Sequence, residues 1–144
     1  MLLGEFEHTL DDKNRLTLPA KFRMALAGGV VLTRGLDSCV EGHPLTDWEG
    51  LVEQRLAGLD PFSGEARKLE RFYYSGAVEA QPDKQGRVML PPSLIDHAGL
   101  GREVVVIGMR GRIEIWDRAA WRAQLKEVME GAEHVAERLA AQHD

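Results

Sequence analysis

Two stretches decide the fold: DDKNRLTLPAKFR (residues 11–23) and its echo DKQGRVMLPPSL (residues 83–94). A shift of 72 residues lays Asp11 on Asp83, Arg15 on Arg87, Leu18 on Leu90 and Pro19 on Pro91. In the first copy Asp and Asn supply turn chemistry, because both bond back to their own main chain. Asn14 stands where the second copy has Gly86, and these are the residues that best tolerate left-handed backbone. RLTLP and RVMLP then alternate with the period of a strand, and the proline ends each one. Leu16, Leu18, Val88 and Leu90 are therefore expected in the core.

Further out, a shift of 73 lays Gly35 on Gly108, Glu41 on Glu114 and Trp48 on Trp121. Each half reads as turn, strand, proline, strand, strand, then a helix opened by tryptophan. A period of ~70 residues is too long for a solenoid unit. Two β-rich halves, each too small to bury its own core, would stabilise one another across a pseudo-two-fold axis. The pattern is a duplication.

The remaining elements follow from periodicity and punctuation. EFEHTL, GGVVLTRG, CVEGHPL and AVEAQ read as strands, and REVVVIGMRGRIEIWD as two β-rich runs around Gly108 and Gly111. PPSLIDHAGL is a short helical or turn segment. A helix is predicted over TDWEGLVEQRLAGL with Thr46 or Asp47 as N-cap, and another from Asp60-Pro61 or Ser63 to Gly76. A long helix runs from Arg118 to about Ala141. Its Val128, Ala132, Val135 and Leu139 recur at helical spacing, a face expected to pack on the body or on a neighbouring subunit.

The chain has 144 residues, room for one domain or two small repeats on a shared core. Its 44% hydrophobic and 28% charged content describes a soluble globular protein. No apolar run approaches the ~18 residues of a membrane span. MLLGEFEHTL lacks the basic region of a secretory signal. The single Cys39 fits a reducing cytoplasm and reads as a small buried apolar residue. The expected location is the cytoplasm.

Net charge is −5, which argues against a blanket electrostatic attraction to nucleic acid. The distribution is uneven: residues 41–83 sum to −5, residues 84–116 to +2, and residues 1–40 balance. A DNA-binding role would need a local basic face repeated over several subunits. Enzymatic chemistry has little to stand on. His8, His43, His97, His134 and His143 show no metal-ligand spacing, and no nucleophile elbow, P-loop or dinucleotide fingerprint is present. No enzyme activity, cofactor, metal or small-molecule substrate is expected.

An arginine at the mouth of a rigid turn projects a planar five-donor fork. That fork can clamp a phosphate or take guanine O6 and N7 together. The preceding aspartate can hold the guanidinium, so less rotamer entropy is lost on binding. Lys13 and Lys84 add point charges suited to phosphate. A lone Asp-x-x-x-Arg would read as a surface ion pair worth ~0–1 kcal/mol. Repetition together with the family resemblance that these same turns carry makes Arg15 and Arg87 DNA-contact candidates, with Asp11, Asp83 and Gly86 stabilising the turns. Lys13, Asn14, Lys84 and Gln85 stay open between DNA contact and solvated turn. Trp48 and Trp121 are expected as packing anchors. Arg110 and Arg112 form a solvated hairpin tip, with phosphate contact or a subunit salt bridge as the other reading.

The doubled turn, strand and proline (Asp11–Arg15–Pro19 and Asp83–Arg87–Pro91), with AGLGREVVVIGMRGRIEIWD and WRAQL, resembles the MraZ family of bacterial transcriptional regulators. The resemblance covers essentially the whole chain. It implies an α+β fold: two AbrB/MazE-like SpoVT-AbrB repeats forming a swapped-hairpin β-barrel with flanking helices. Residues 5–48 and 77–120 would be the repeats, 49–76 connecting helices and 121–144 a C-terminal helix. It implies a nucleoid-associated, ring-shaped homo-oligomer. Such an assembly would read directly repeated G-rich boxes in the promoter of the division and cell-wall gene cluster, with Asp-x-x-x-Arg turns on double-stranded DNA. The competing reading is an antitoxin-like interaction protein whose C-terminal helix, with Glu127, Glu130, Glu133 and Glu137, binds a partner protein.

Overall fold

The computed structural model describes residues 1–142, so His143 and the end of the C-terminal segment lie outside the described residues. The fold is mixed α+β and antiparallel throughout. Strands β1 (Leu2–Thr9) and β2 (Arg15–Thr17) precede helix α1 (Ala20–Leu26), then β3 (Val30–Arg34) and β4 (Val40–Pro44). A 3-10 turn (Leu45–Asp47) leads into α2 (Trp48–Leu56), and α3 (Gly64–Gly76) closes the first half. The second half repeats the order as β5 (Val78–Ala80), β6 (Arg87–Met89), α4 (Pro92–Ala98), β7 (Glu103–Arg110), β8 (Ile113–Asp117) and α5 (Arg118–Ala141).

The main sheet runs β1-β7-β8-β4-β3-β5, and β2 pairs with β6 in a second, two-stranded sheet. Exchanging the halves maps β1 on β5, β3 on β7 and β4 on β8, and the order then reads the same from its other end. Each half's first strand pairs with the other half's third: β1 with β7, β5 with β3. The pseudo-axis is visible in the register. Leu16 faces Val88 at the centre of the small sheet, and Glu41 faces Glu114 at the centre of the β4–β8 ladder. Both are equivalent pairs under the sequence shift. One apolar core is shared by the halves, with Leu16, Leu18 and Phe22 from the first packed beside Val88, Leu90 and Leu94 from the second.

Local signals place most elements where the sequence puts them, with three differences. The first is the start of α2. Neither Thr46 nor Asp47 caps it with a side chain, because the backbone is already helical from Leu45 and the capping position falls on Pro44. The equivalent position in the second half is Asp117, whose carboxylate accepts from the Ala120 N–H at 3.3 Å. Second, α5 buries no residue fully, and Val128, Val135 and Leu139 remain 39–49% exposed. The apolar seam thus does not pack on the body. Only its first turns dock, where the Trp121 indole donates to Glu5 at 2.8 Å and packs at a tilt against Trp116. Third, Arg112 is not a solvated tip residue: its guanidinium bonds Glu114 at 3.0 Å. Cys39 is buried, and burial pushes its thiol pKa up. No described helix is long and apolar enough to cross a membrane.

Candidate nucleic-acid interface

The two turns are built alike, bond for bond. Asp11 Oδ1 accepts from the N–H groups of Lys13 (2.9 Å) and Arg15 (2.8 Å), and its Oδ2 accepts from Arg15 Nε at 2.7 Å. Asp83 Oδ1 accepts from Gln85 (2.9 Å) and Arg87 (2.9 Å), and its Oδ2 accepts from Arg87 Nε at 2.8 Å. The turns close through Asn14 N–H to the Asp11 carbonyl (3.0 Å) and Gly86 N–H to the Asp83 carbonyl (2.9 Å). Asn14 and Gly86 both have positive φ, 58° and 76°. Each aspartate therefore folds its turn and aims its arginine at once.

Those hydrogen bonds keep the carboxylates ionised. The backbone N–H of Arg15, helped by its side chain and by the Lys13 N–H, holds Asp11 below the ordinary value of 3.8 against a smaller desolvation effect. The Arg87 N–H does the same for Asp83. Among the described residues each guanidinium is bonded through Nε alone. The Nη1/Nη2 end is left for a ligand, and it is the end that matches a phosphate or the O6/N7 edge of guanine.

The turns are also tied to each other. Leu18 N–H donates to the Gly86 carbonyl (2.8 Å) and Leu90 N–H to the Asn14 carbonyl (2.9 Å), so each turn is fastened to the end of the other's strand. Because β2 and β6 run antiparallel, the turns stand at opposite ends of a three-pair ladder. Arg15 and Arg87 are offset along it by two residues, roughly 7 Å at strand rise. Beneath them Leu16, Leu18, Val88 and Leu90 are buried, which makes the base stiff. Pro19 and Pro91 end the strands and stand at the N-caps of α1 and α4. Lys13, Lys84 and Gln85 are exposed around the turns.

Sequence reasoning missed two arginines. Arg102 Nη1 donates to the Asp11 carbonyl and braces the first turn from the bend just before β7. Arg23, on α1, reaches the Leu18 carbonyl at 3.0 Å and lies against Gly86. Neither position is basic in the other half, so the duplication that exposed Arg15 and Arg87 hides them.

A duplicated α+β scaffold thus presents two identically braced arginine forks. Sequence comparison places it further. The family described as "MraZ protein, putative antitoxin-like" matches twice, over residues 1–72 and 73–142. The chain is 53% identical over 121 residues to a protein of Limosilactobacillus fermentum named Transcriptional regulator MraZ, covering 84% of each chain. A protein of the same name from Pelotomaculum thermopropionicum is 43% identical over 139 residues, covering 96% of this chain and 95% of its own. Similarity of 42% over 139 residues extends to the Moorella thermoacetica protein of that name. The chain belongs to the MraZ family.

Proposed function

We propose that this chain is a sequence-specific, DNA-binding transcriptional regulator whose two Asp-x-x-x-Arg turns are the reading heads. The observation that carries the proposal is the matched bracing of Arg15 and Arg87, each held by Nε with its Nη end unspent. Preorganised forks on a buried base suit bidentate contact with guanine, while Lys13, Lys84, Asn14 and Gln85 are placed to meet phosphates around them. The relatives' printed name, Transcriptional regulator MraZ, supports the same role. Within it, the targets are directly repeated G-rich boxes at the promoter of the division and cell-wall gene cluster. The working form is a ring-shaped homo-oligomer on the nucleoid, in the cytoplasm. The small and large sheets together constitute a swapped-hairpin barrel of AbrB type, its repeats at 5–48 and 77–120 joined by the 49–76 helices and followed by the 121–144 segment. Multiplying the arginines by oligomerisation is what lets a chain of net charge −5 hold DNA.

Fluorescence anisotropy with a duplex bearing such repeats tests the proposal. Arg15→Ala and Arg87→Ala should each cost about 1–3 kcal/mol of specific binding, roughly 5- to 150-fold, with the solution mass unchanged. Unaltered affinity in both variants would overturn the assignment. A second reading, an antitoxin-like protein that binds a partner through α5, draws on the exposed Val128–Leu139 seam and on the family description. A stoichiometric toxin-like protein recovered in pull-down, and lost on Val135→Glu, would favour it.

A further inference from the structure

We propose that Arg23 is a third DNA-contacting arginine, lent by the first half to the turn of the second, and that it makes the two reading heads unequal. The proposal rests on the DNA-binding reading above. Helices α1 and α4 are equivalent under the 72-residue shift, and the position of Arg23 is taken in α4 by Ile95. Ile95 packs on the apolar core, whereas Arg23 is exposed. The Arg23 side chain is nevertheless fixed. Its Nε donates to the Leu18 carbonyl at 3.0 Å, and Leu18 N–H donates to the Gly86 carbonyl at 2.8 Å.

From that anchor the side chain crosses Gly86 at close range. A Cβ added to Gly86 would lie 2.7 Å from Arg23 Nε and 2.9 Å from its Cδ. This explains a difference between the two copies. Left-handed backbone alone does not require glycine here, since Asn14 adopts φ 58° in the equivalent turn. The close approach of Arg23 is what a Cβ at this position would displace. The turn of Arg87 thus has a second guanidinium laid on it, bonded among the described residues through Nε alone, as for Arg15 and Arg87 themselves. Two forks on one turn call for a strongly anionic ligand, and the shared chemistry is that of phosphate. Nearby His8 adds no competing cation at neutral pH: burial, and then the Arg23 charge, hold its pKa below the ordinary value. Arg23 is accordingly assigned to the DNA backbone and not to a base.

Arg23→Gln is the sharp test, because glutamine Nε2 occupies the place of arginine Nε and can keep the bond to Leu18 while the charge is lost. Anisotropy of the full chain should be measured against salt on two duplexes, one bearing directly repeated G-rich boxes and one scrambled. The expected loss is about fivefold at physiological salt on both duplexes. The slope of log K on log salt should be shallower by about 0.9 for each chain engaged. Gly86→Asn, which keeps a residue that tolerates the left-handed turn but displaces Arg23, should reproduce the loss. Unchanged affinity and slope in Arg23→Gln, with Arg15→Ala still defective, would overturn the role of Arg23 and leave the DNA-binding reading intact. A loss confined to the repeat-bearing duplex would overturn the phosphate assignment. A wild-type chain that binds neither duplex would remove both.

Discussion

Each turn aspartate spends one oxygen on two backbone N–H groups and the other on the arginine Nε. Asp→Asn at position 11 or 83 would keep the turn's size but leave one oxygen to serve both tasks, and an amide donor would face either the backbone N–H groups or Nε. The arginine should then swing freely. Specific DNA affinity should fall in anisotropy toward that of the arginine-to-alanine variants although the arginine remains. The pH dependence has a definite sign. Both carboxyls are held below 3.8, so their contribution is complete above that value and disappears as pH falls through the lower folded-state values. Protected Nε–H signals of Arg15 and Arg87 should persist in NMR spectra at about pH 4 and vanish only in stronger acid. This motif was legible in the sequence because all its bonds lie within five residues. Arg23 was not, because its contact with Gly86 joins the two halves and its equivalent is Ile95, so neither local pattern nor repetition marks it.

At the level of elements, the equivalent glycines Gly35 and Gly108 mark places where backbone meets backbone or a buried side chain. A Cβ on Gly108 would be driven into the β1 main chain at Leu2 and Leu3, and one on Gly35 into Cys39. Gly108 faces Gly4 in the ladder that fastens the first strand of one half to the third strand of the other. Gly108→Ala should therefore loosen the exchange between halves and destabilise the chain by about 1–3 kcal/mol in urea unfolding. Alanine at the open Gly131 of α5 provides the contrast: it meets nothing and should stabilise by about 0.5–1 kcal/mol through helix propensity. Strand alternation and the helix of Arg118–Ala141 could be read directly, since each is set by its own residues. The start of α2 could not: its capping position falls on Pro44 because β4 runs straight into a 3-10 turn, a matter of connection and not of composition. Pairing between the halves was expected from the duplication, but which strands cross was not legible, because β1 and β5 carry no mark of their partners.

At the scale of the whole molecule, the pseudo-axis that centres Leu16 on Val88 also centres two buried acids, Glu41 on Glu114. Each accepts a ring N–H from the residue two positions on: His43 Nε2 at 2.8 Å for Glu41, and Trp116 Nε1 at 3.0 Å for Glu114. These donors are equivalent positions under the sequence shift, and the other ring nitrogen of His43, Nδ1, is buried without a hydrogen-bond partner among the described residues. The counter-charges are not equivalent. Arg55 of α2 serves Glu41 at 2.8 Å, while Arg112 of the β7–β8 hairpin serves Glu114 at 3.0 Å and lies 4.0 Å from Glu41; the other half has Val128 and Cys39 at those positions. Two like charges face each other in the sheet, so loss of an arginine should cost more than loss of an acid. Arg55→Ala should destabilise by about 3 kcal/mol, the low end for a broken buried pair because Arg55 is 22% exposed; Glu41→Gln should cost less, since it relieves the repulsion from Glu114. The pH profile separates this from simple lost packing. In the native chain burial raises the Glu41 pKa, but His43 and Arg55 outweigh it and the value lies below 4.5, so its contribution is complete above that pH. Without Arg55 only His43 and Arg112, whose Nε lies 4.0 Å from Glu41, oppose burial, so the Glu41 pKa should rise. The deficit of Arg55→Ala should then be largest at about pH 7.5 and shrink at about pH 5 as Glu41 takes up a proton. A urea-unfolding deficit equal at both pH values would show that Arg55 contributes packing and not charge.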